Sequence, residues 1–389
     1  MEHIMDTREG SSEGTKVGGT IFDVNRKRHT AADLLERAYP TRLTVLLRAT
    51  VDTIVWQDEG ARAGRPKAIG VEYMDGEGRR KSAYLKEGDG GEVILAAGAL
   101  GSPQLLMLSG VGPREELEKV GVRVMLEQPM VGLGMADNPM NAVFVPSPSP
   151  VEVSLIQVVG ITRFGSYVEA ASGHLFASPS GGGGAAFKNF GMFSPQTGQL
   201  STVPPKQRTS EAIALAVEAM NSLEPLAFRG GVIIEKVAGP LSTGYLRLNT
   251  SNPDDNPSVT FNYFQHPLDL RRCVDGIKTI ERVIESPAFA MFRYRNASFE
   301  DLLNMTANFP MNLLPKNDND TQSLEQFCKD TVMTIWHYHG GCQVARVVDH
   351  DYRVIGVDAL RVIDGSTFHR SPGTNPQATV MMLGRYAVN

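Results

Sequence analysis

Cysteine is scarce: only Cys273, Cys328 and Cys342 occur in 389 residues. Three thiols permit at most one bridge, and their spacing resembles no zinc ribbon, which excludes a disulfide framework. No apolar run reaches the roughly 18–20 residues that a membrane-spanning helix needs. The opening run Met1-Glu2-His3-Ile4-Met5-Asp6-Thr7-Arg8-Glu9 has no apolar core, so no signal peptide is read there. An excess of positive charge is missing too. The net charge is −5, and the tightest basic runs (Arg26-Lys27-Arg28 and Arg79-Arg80-Lys81) have the length of solvated turns, so nucleic acid is not an expected partner. No Gly-x-Gly-x-x-Gly occurs anywhere, which removes the usual loop for a dinucleotide pyrophosphate. The one Gly-x-Ser-x-Gly string, Gly10-Ser11-Ser12-Glu13-Gly14, follows no apolar strand and lacks the context of a nucleophile elbow.

What is present is an ordinary globular composition, 42% hydrophobic and 21% charged, in a chain long enough for two domains or one elaborate one. Residues 1–16 are polar and rich in glycine and serine, which predicts a frayed start. His29–Ala38 has helix character, with Thr30 as its cap. Leu43–Leu47, Val51–Trp56, Ala68–Tyr73 and Ser82–Leu85 read as short strands between Asp/Gly turns, hence an antiparallel meander. Val93–Ala97 is continuously apolar, the pattern of a strand covered on both faces. It runs into Gly98-Ala99-Leu100-Gly101-Ser102-Pro103 and an apolar helix, a strand-turn-helix unit.

Past Pro146 the pattern changes. Val151–Tyr167 alternates loosely, Ser180–Gly184 is a low-complexity loop, and Ser210–Leu223 is helical. Gly230–Lys236 and Gly244–Asn249 are expected to form a hairpin around a Gly-Pro turn. His266–Glu285 is an amphipathic helix, with Leu268, Val274, Ile277, Ile280 and Val283 mostly three or four residues apart. The C-terminal stretch returns to strand, turn and helix. The expected organisation is an α/β unit over residues 1–145 and 329–389, interrupted by a sheet-and-helix domain over 146–328.

Several segments carry candidate chemistry. Small residues at the Gly98 turn let a ligand approach the backbone, and a helix N-terminus there favours a phosphate; the alternative is tight helix-on-sheet packing. In Trp336-His337-Tyr338-His339-Gly340-Gly341-Cys342, His337, His339 and Cys342 are metal-ligating types, but no fourth ligand stands at a convincing spacing, so no metal is expected. A histidine just before Gly340-Gly341 is placed to face a cofactor cavity as a general base, the alternative being a satisfied core histidine. Asn375-Pro376-Gln377 opens a helix with a favoured cap and a favoured first residue, leaving the carboxamide near a helix N-terminus and a substrate oxygen. Asn249, Asn296, Asn304 and Asn319 begin Asn-x-Ser/Thr motifs, a hint of secretory ancestry.

Together the Gly98, Trp336 and Asn375 segments resemble the glucose-methanol-choline (GMC) flavin oxidoreductases. Gly98–Gly112 matches that family's second signature at every constrained position. The nearer resemblance is to the plant HOTHEAD-like and mandelonitrile-lyase-like branch, through Gly14–Asp23, Asp137–Asn141, Trp336–Cys342 and Arg361–Asn375. It covers the chain from about Gly14 onward. The resemblance implies FAD, an α/β Rossmann-like flavin-binding domain, and a substrate domain built on an antiparallel sheet. It implies that His337 takes the proton of an alcohol while the carbon-bound hydrogen leaves as hydride for flavin N5, and that Asn375 hydrogen-bonds the substrate oxygen. It places Val51 beside the adenine, Gly98, Ser102 and Pro103 in the cofactor signature, and Asp364 and Gly365 on the pyrophosphate side. Asn375, Pro376 and Gln377 fall near the flavin ring, and His339 receives no role. The implied substrate is a small-molecule alcohol, a primary hydroxyl on a long apolar molecule such as an ω-hydroxy fatty acid.

Two departures from the family's pattern set the alternatives. Its N-terminal strand, Gly-x-Gly-x-x-Gly turn and helix, and its first signature, are absent. The FAD-binding domain is therefore expected to be incomplete with an open sheet edge, and an N-terminally truncated, inactive product is one alternative. Asn375 stands where lyase members carry histidine, which puts hydroxynitrile lyase behind alcohol oxidation.

Overall fold

The computed structural model describes residues 14–17, 23–25, 27–39, 41–57, 65–86, 88, 90–149, 151, 156, 158–172, 208–221, 230–308, 323–373 and 375–387. In chain order the strands open with β1 (Gly14–Val17), β2 (Thr50–Trp56), β3 (Ala68–Met74), β4 (Arg80–Tyr84) and β5 (Val93–Leu95). Next come β6 (Val111–Gly112), β7 (Leu126–Glu127), β8 (Leu133–Met135), β9 (Pro139–Pro146), β10 (Val158–Ile161) and β11 (Ser166–Ser172). The last are β12 (Gly230–Val237), β13 (Gly244–Arg247), β14 (Ser258–Thr260), β15 (Met333–Thr334) and β16 (Leu360–Val362). The helices are α1 (Gly98–Leu108), α2 (Arg114–Lys119), α3 (Ser210–Asn221), α4 (Pro267–Glu285), α5 (Phe299–Asn308), α6 (Leu324–Thr331) and α7 (Gln377–Ala387). The described residues gather into two compact units: one drawn from 1–20, 139–238 and 264–335, the other from 21–138, 239–263 and 336–389. Among them no helix is long and apolar enough to cross a membrane.

The first unit is built on an antiparallel sheet in the order β1-β10-β11-β12-β9-β15. Gly14–Val17 pair with Val158–Ile161, so the expected frayed start gives way to a strand at Gly14. Gly10–Glu13, Ser180–Gly184 and Asn319 lie outside the described residues. Helix α4 begins at a histidine cap, where His266 Nδ1 accepts the Leu268 N–H, and packs on β11 and β12. Its buried stripe is Cys273, Gly276, Ile277, Ile280 and Ile284. Leu268 and Val283, expected on that stripe, are 40% exposed instead, because the 3.6-residue period carries the core face through Cys273 and Ile284. Cys273 is disulfide-bonded to Cys328 of α6, tying the two helices together. Lys236 and Glu169 form a buried ion pair in the sheet at 2.9 Å.

Gly276 decides how closely α4 approaches the sheet. A Cβ there would fall 2.1 Å from Cγ of Glu235, a fully buried residue whose carboxyl accepts the Ser166 hydroxyl. Burial raises the Glu235 pKa well above the usual carboxyl range. Alanine gains up to about 1 kcal/mol of helix propensity over glycine, whereas overpacking a filled core costs about 1–3 kcal/mol. Packing wins. Gly276→Ala is expected to lower stability by about 1–2 kcal/mol, seen as a lower urea midpoint, with the loss relieved on a Glu235→Ala background. A raised midpoint would refute the steric account.

In the second unit, β2-β3-β4 form the expected antiparallel meander. Leu43–Leu47 is not a strand: it pairs with nothing regular and ends in a turn at Arg48, whose φ of 54° is left-handed. β5 pairs in parallel with β16, Val93 opposite Leu360. The expectation of two covered faces fails at Ile94, which is 45% exposed, since the parallel pair carries no layer over that face among the described residues. The predicted hairpin of 230–236 with 244–249 is also absent. β12 belongs to the first unit's sheet, while β13 joins β14 and β8 in a separate one. Residues 31–37 form a 3-10 helix with Thr30 as its cap, the hydroxyl accepting the Ala32 N–H. The core closes on Leu106, Met107, Val111, Leu117, Met135 and Leu360. Helices combined with antiparallel sheets and a parallel strand-turn-helix unit make this an α/β fold.

Candidate active site

The second unit holds the sequence-predicted site residues. The β5–α1 turn brings Gly98 and Ser102 to Asp364, at the end of β16. One Asp364 oxygen accepts the Gly98 N–H at 3.0 Å and the Ser102 hydroxyl at 2.5 Å. The other accepts the Ser366 N–H at 2.8 Å. Asp364 is buried, and no cation is paired with it among the described residues. Its charge is offset by the N-terminus of α1, which favours an anion. The helix end expected to take a phosphate is thus occupied by a carboxylate of the chain itself. Ser102 Oγ also accepts the Ala97 N–H, and Pro103 lies against Gly341, so both signature residues are committed to packing.

His337 sits in an extended segment laid against the run leading out of β8. Ala136 and His339 exchange main-chain hydrogen bonds of 2.9 Å, and Gly341 and Gly132 continue the contact. The His337 N–H donates to Asp137 Oδ1 at 2.9 Å, and its carbonyl accepts from His339 Nδ1 at 3.0 Å. That bond puts the His339 proton on Nδ1, and burial lowers the His339 pKa, keeping its ring neutral. Gly340 and Gly341 are required here, with φ of 85° and 96°. A Cβ on Gly340 would lie 2.0 Å from the Gly134 carbonyl oxygen, and one on Gly341 would lie 2.8 Å from Met135 Sδ. His337 itself is half-buried.

Asn375 is exposed just before α7, and the Pro376 carbonyl accepts the Val380 N–H in the first turn. Gln377 is exposed at the helix start. Gly365 lies in the 3-10 turn after β16, its carbonyl accepting the Gly340 N–H. The described contacts join the His337 and Asn375 segments through Asp137-Asn138. Asp137 holds His337, and Asn138 Nδ2 donates to Ser371 Oγ at 3.1 Å.

Comparison with known proteins identifies the family. One model described as GMC oxidoreductase matches residues 3–140, and a second matches residues 240–384. The chain belongs to the GMC oxidoreductase family. Protein HOTHEAD of Arabidopsis thaliana is 50% identical over 374 residues, 96% of this chain and 62% of its own length. A second Arabidopsis protein, (R)-mandelonitrile lyase-like, is 44% identical over 375 residues, 96% of this chain and 61% of its own length. Sinalpyl alcohol oxidase Nec3 of Nesocodon mauritianus is 37% identical over 376 residues, 96% of this chain and 60% of its own. The chain therefore spans about 60% of the length of these relatives. Pyridoxine 4-oxidase from Mesorbium loti shares the fold, with a TM-score of 0.60 at 18% identity over 87% of this chain and 56% of that one.

The cofactor of GMC oxidoreductases is FAD. A cavity of about 700 Å³ opens beside β2, β5 and the start of α1, walled by Val51, Tyr84, Leu85, Ile94, Ala97 and Gly101 among others. Its size and apolar walls suit a flat heteroaromatic ring. A Cβ on Gly101 would come within 2.9 Å of Ala97 Cβ. His337 and Asn375 do not line this cavity, so it and the His337 segment are separate features of the unit.

Asp137, Asn138, Tyr263 and Ser371 were not singled out from sequence as site residues. For Asp137 and Asn138 the one signal was the polar Asp-Asn-Pro run after an apolar strand; Tyr263 and Ser371 carried none. Among the described residues no three His, Cys, Asp or Glu side chains converge as metal ligands. Cys342 is fully buried, and burial pushes its thiol far up. It is expected to resist maleimide in the native protein and to react on denaturation, a contrast read by intact mass.

Proposed function

We propose that this protein is an FAD-dependent oxidoreductase acting on CH–OH groups, with His337 as the base that takes the alcohol proton and Asn375 as the hydrogen-bond partner of the substrate oxygen. The observation that carries the reading is the way His337 is held. Its N–H and carbonyl fix the backbone while the half-buried imidazole takes no part in those two bonds. FAD, when bound, supplies the acceptor for the carbon-bound hydrogen. Val51 and the β5–α1 turn would hold its adenine side, and Gly365, Pro376 and Gln377 would border the rest. The relative named sinalpyl alcohol oxidase supports an alcohol substrate. The substrate we propose is a primary hydroxyl on a long chain, such as an ω-hydroxy fatty acid, as the resemblance to the HOTHEAD-like branch implies.

In this reading residues 1–145 and 329–389 serve FAD and 146–328 serve the substrate. The Cys273–Cys328 bridge and the exposed acceptor residues Asn249, Asn296 and Asn304 support a secretory address. A hydroxynitrile lyase is the second reading, favoured by the 44% identity to the mandelonitrile lyase-like protein. It is weakened by Asn375, which lacks a basic nitrogen.

The test is the visible spectrum of the purified chain after incubation with FAD and gel filtration, followed by anaerobic addition of an ω-hydroxy fatty acid. Flavin bands that bleach with the alcohol support oxidation. A colourless protein sinks the reading for this chain, and loss of mandelonitrile without bleaching would favour the lyase.

A further inference from the structure

We infer that the dipeptide Asp137-Asn138 is a two-armed clamp that sets His337 and Asn375 in one site. The inference rests on the reading of those two residues given above, and it makes the dipeptide a positioning element rather than a reacting one. Asp137 and Asn138 occupy the run joining β8 to β9, and both are buried, 1% and 0% exposed. Successive side chains of an extended run point to opposite sides, so one dipeptide reaches two different segments.

The first arm is closed on itself. Asp137 Oδ1 accepts the His337 N–H, while Oδ2 accepts the Tyr263 hydroxyl at 2.6 Å. Tyr263 stacks on Phe261 with centroids 5.7 Å apart, and Phe261 stacks on Tyr338 at 5.2 Å with rings 5° from parallel. Tyr338 follows His337 in the chain. The carboxylate thus grips the catalytic segment twice, once at the His337 amide and once through three aromatic rings on its neighbour. The second arm runs from Asn138 Nδ2 to the Ser371 hydroxyl, which donates to the Gly373 carbonyl at 3.1 Å, two residues before Asn375. Asn138 Oδ1 is buried without a hydrogen-bond partner among the described residues, leaving an acceptor at the junction of the arms.

Such a clamp matters because a base displaced by about 1 Å loses on the order of a hundredfold in rate. It also explains how an exposed Asn375, outside any sheet, keeps a defined place relative to His337. The two residues need not touch; each is registered to the same two consecutive α-carbons.

The test combines hydrogen exchange with kinetics on the flavin-loaded protein. Asp137→Ala should speed exchange at 336–339 by about tenfold or more and leave 371–373 unchanged; Asn138→Ala should do the reverse. Each should lower kcat about 10- to 100-fold while KM and flavin content stay within about twofold. Asp137→Asn keeps an oxygen for the His337 N–H and an amide group for the Tyr263 hydroxyl, so it should recover most of kcat. Unchanged exchange in the cognate segment, or a kcat loss that merely follows flavin loss, overturns the clamp. Should Asp137→Ala fail to fold, Tyr263→Phe removes one partner of Oδ2 only and is read the same way. If the unmutated chain oxidises no alcohol, the exchange pattern still decides the clamp, and the catalytic reading falls separately.

Discussion

Alcohol oxidation by a His337→Ala variant is expected to fall about a hundred- to ten-thousand-fold in kcat, the range for removing a general base, with flavin content unchanged. The expectation rests on two of the bonds that hold residue 337 coming from its backbone. The N–H to Asp137 and the carbonyl to His339 remain available to alanine, so the segment keeps its register while the imidazole is lost. His339 cannot take over. Its Nδ1 is engaged with the His337 carbonyl, its ring is 2% exposed, and burial disfavours its charged form. Parallel loss of flavin would assign His337 a binding role instead, and an unchanged kcat would remove it from the chemistry. A loss confined to KM would mark an interaction made equally in ground and transition states.

The second large effect is expected at Asp364. Asp364→Ala should destabilise the second unit by about 3–5 kcal/mol, the cost of leaving buried donors without their charged acceptor. The donors are the Gly98 and Ser366 amides and the Ser102 hydroxyl, which join α1 to the end of β16. Asp364→Asn keeps one acceptor oxygen and should cost about half as much, since the N-terminus of α1 then loses its anion but not every hydrogen bond. Urea unfolding followed by tryptophan fluorescence reports on this unit, because both Trp56 and Trp336 belong to it and the Trp56 indole donates to the Ser109 carbonyl just past α1. A midpoint unchanged in both variants would mean that water replaces the carboxylate, and the bridging role would be withdrawn.

Both predictions hang on contacts of great sequence separation: Gly98 to Asp364 spans 266 residues, and Asp137 to His337 spans 200. Nothing within a local window announces either. What local chemistry does announce was read correctly where period and punctuation were strong. Helix α4 was legible from its 3.6-residue pattern, α1 from the small residues after an apolar strand, and the meander from alternation between Asp/Gly turns. Readings that needed a partner failed. Leu43–Leu47 has strand composition but no ladder, and β12 and β13 look like consecutive strands yet pair in different sheets. Cys273 and Cys328 are 55 residues apart, and only the packing of α4 on α6 makes them a pair.

The sequence by itself determined the family, through the Gly98–Gly112 signature, and the chemical types at the site: an imidazole before two glycines, an aspartate after a strand, an asparagine before a helix. These are short strings whose meaning lies in residue type and spacing. Tertiary structure alone decided what each group holds. It turned Asp364 inward to cap α1, assigned Asp137 to the His337 amide, and separated the apolar cavity at Val51 from the His337 segment. The physical reason is that a hydrogen bond's partner is chosen by which segments the core brings together, and that choice is made by burial across the whole chain rather than by neighbours in sequence.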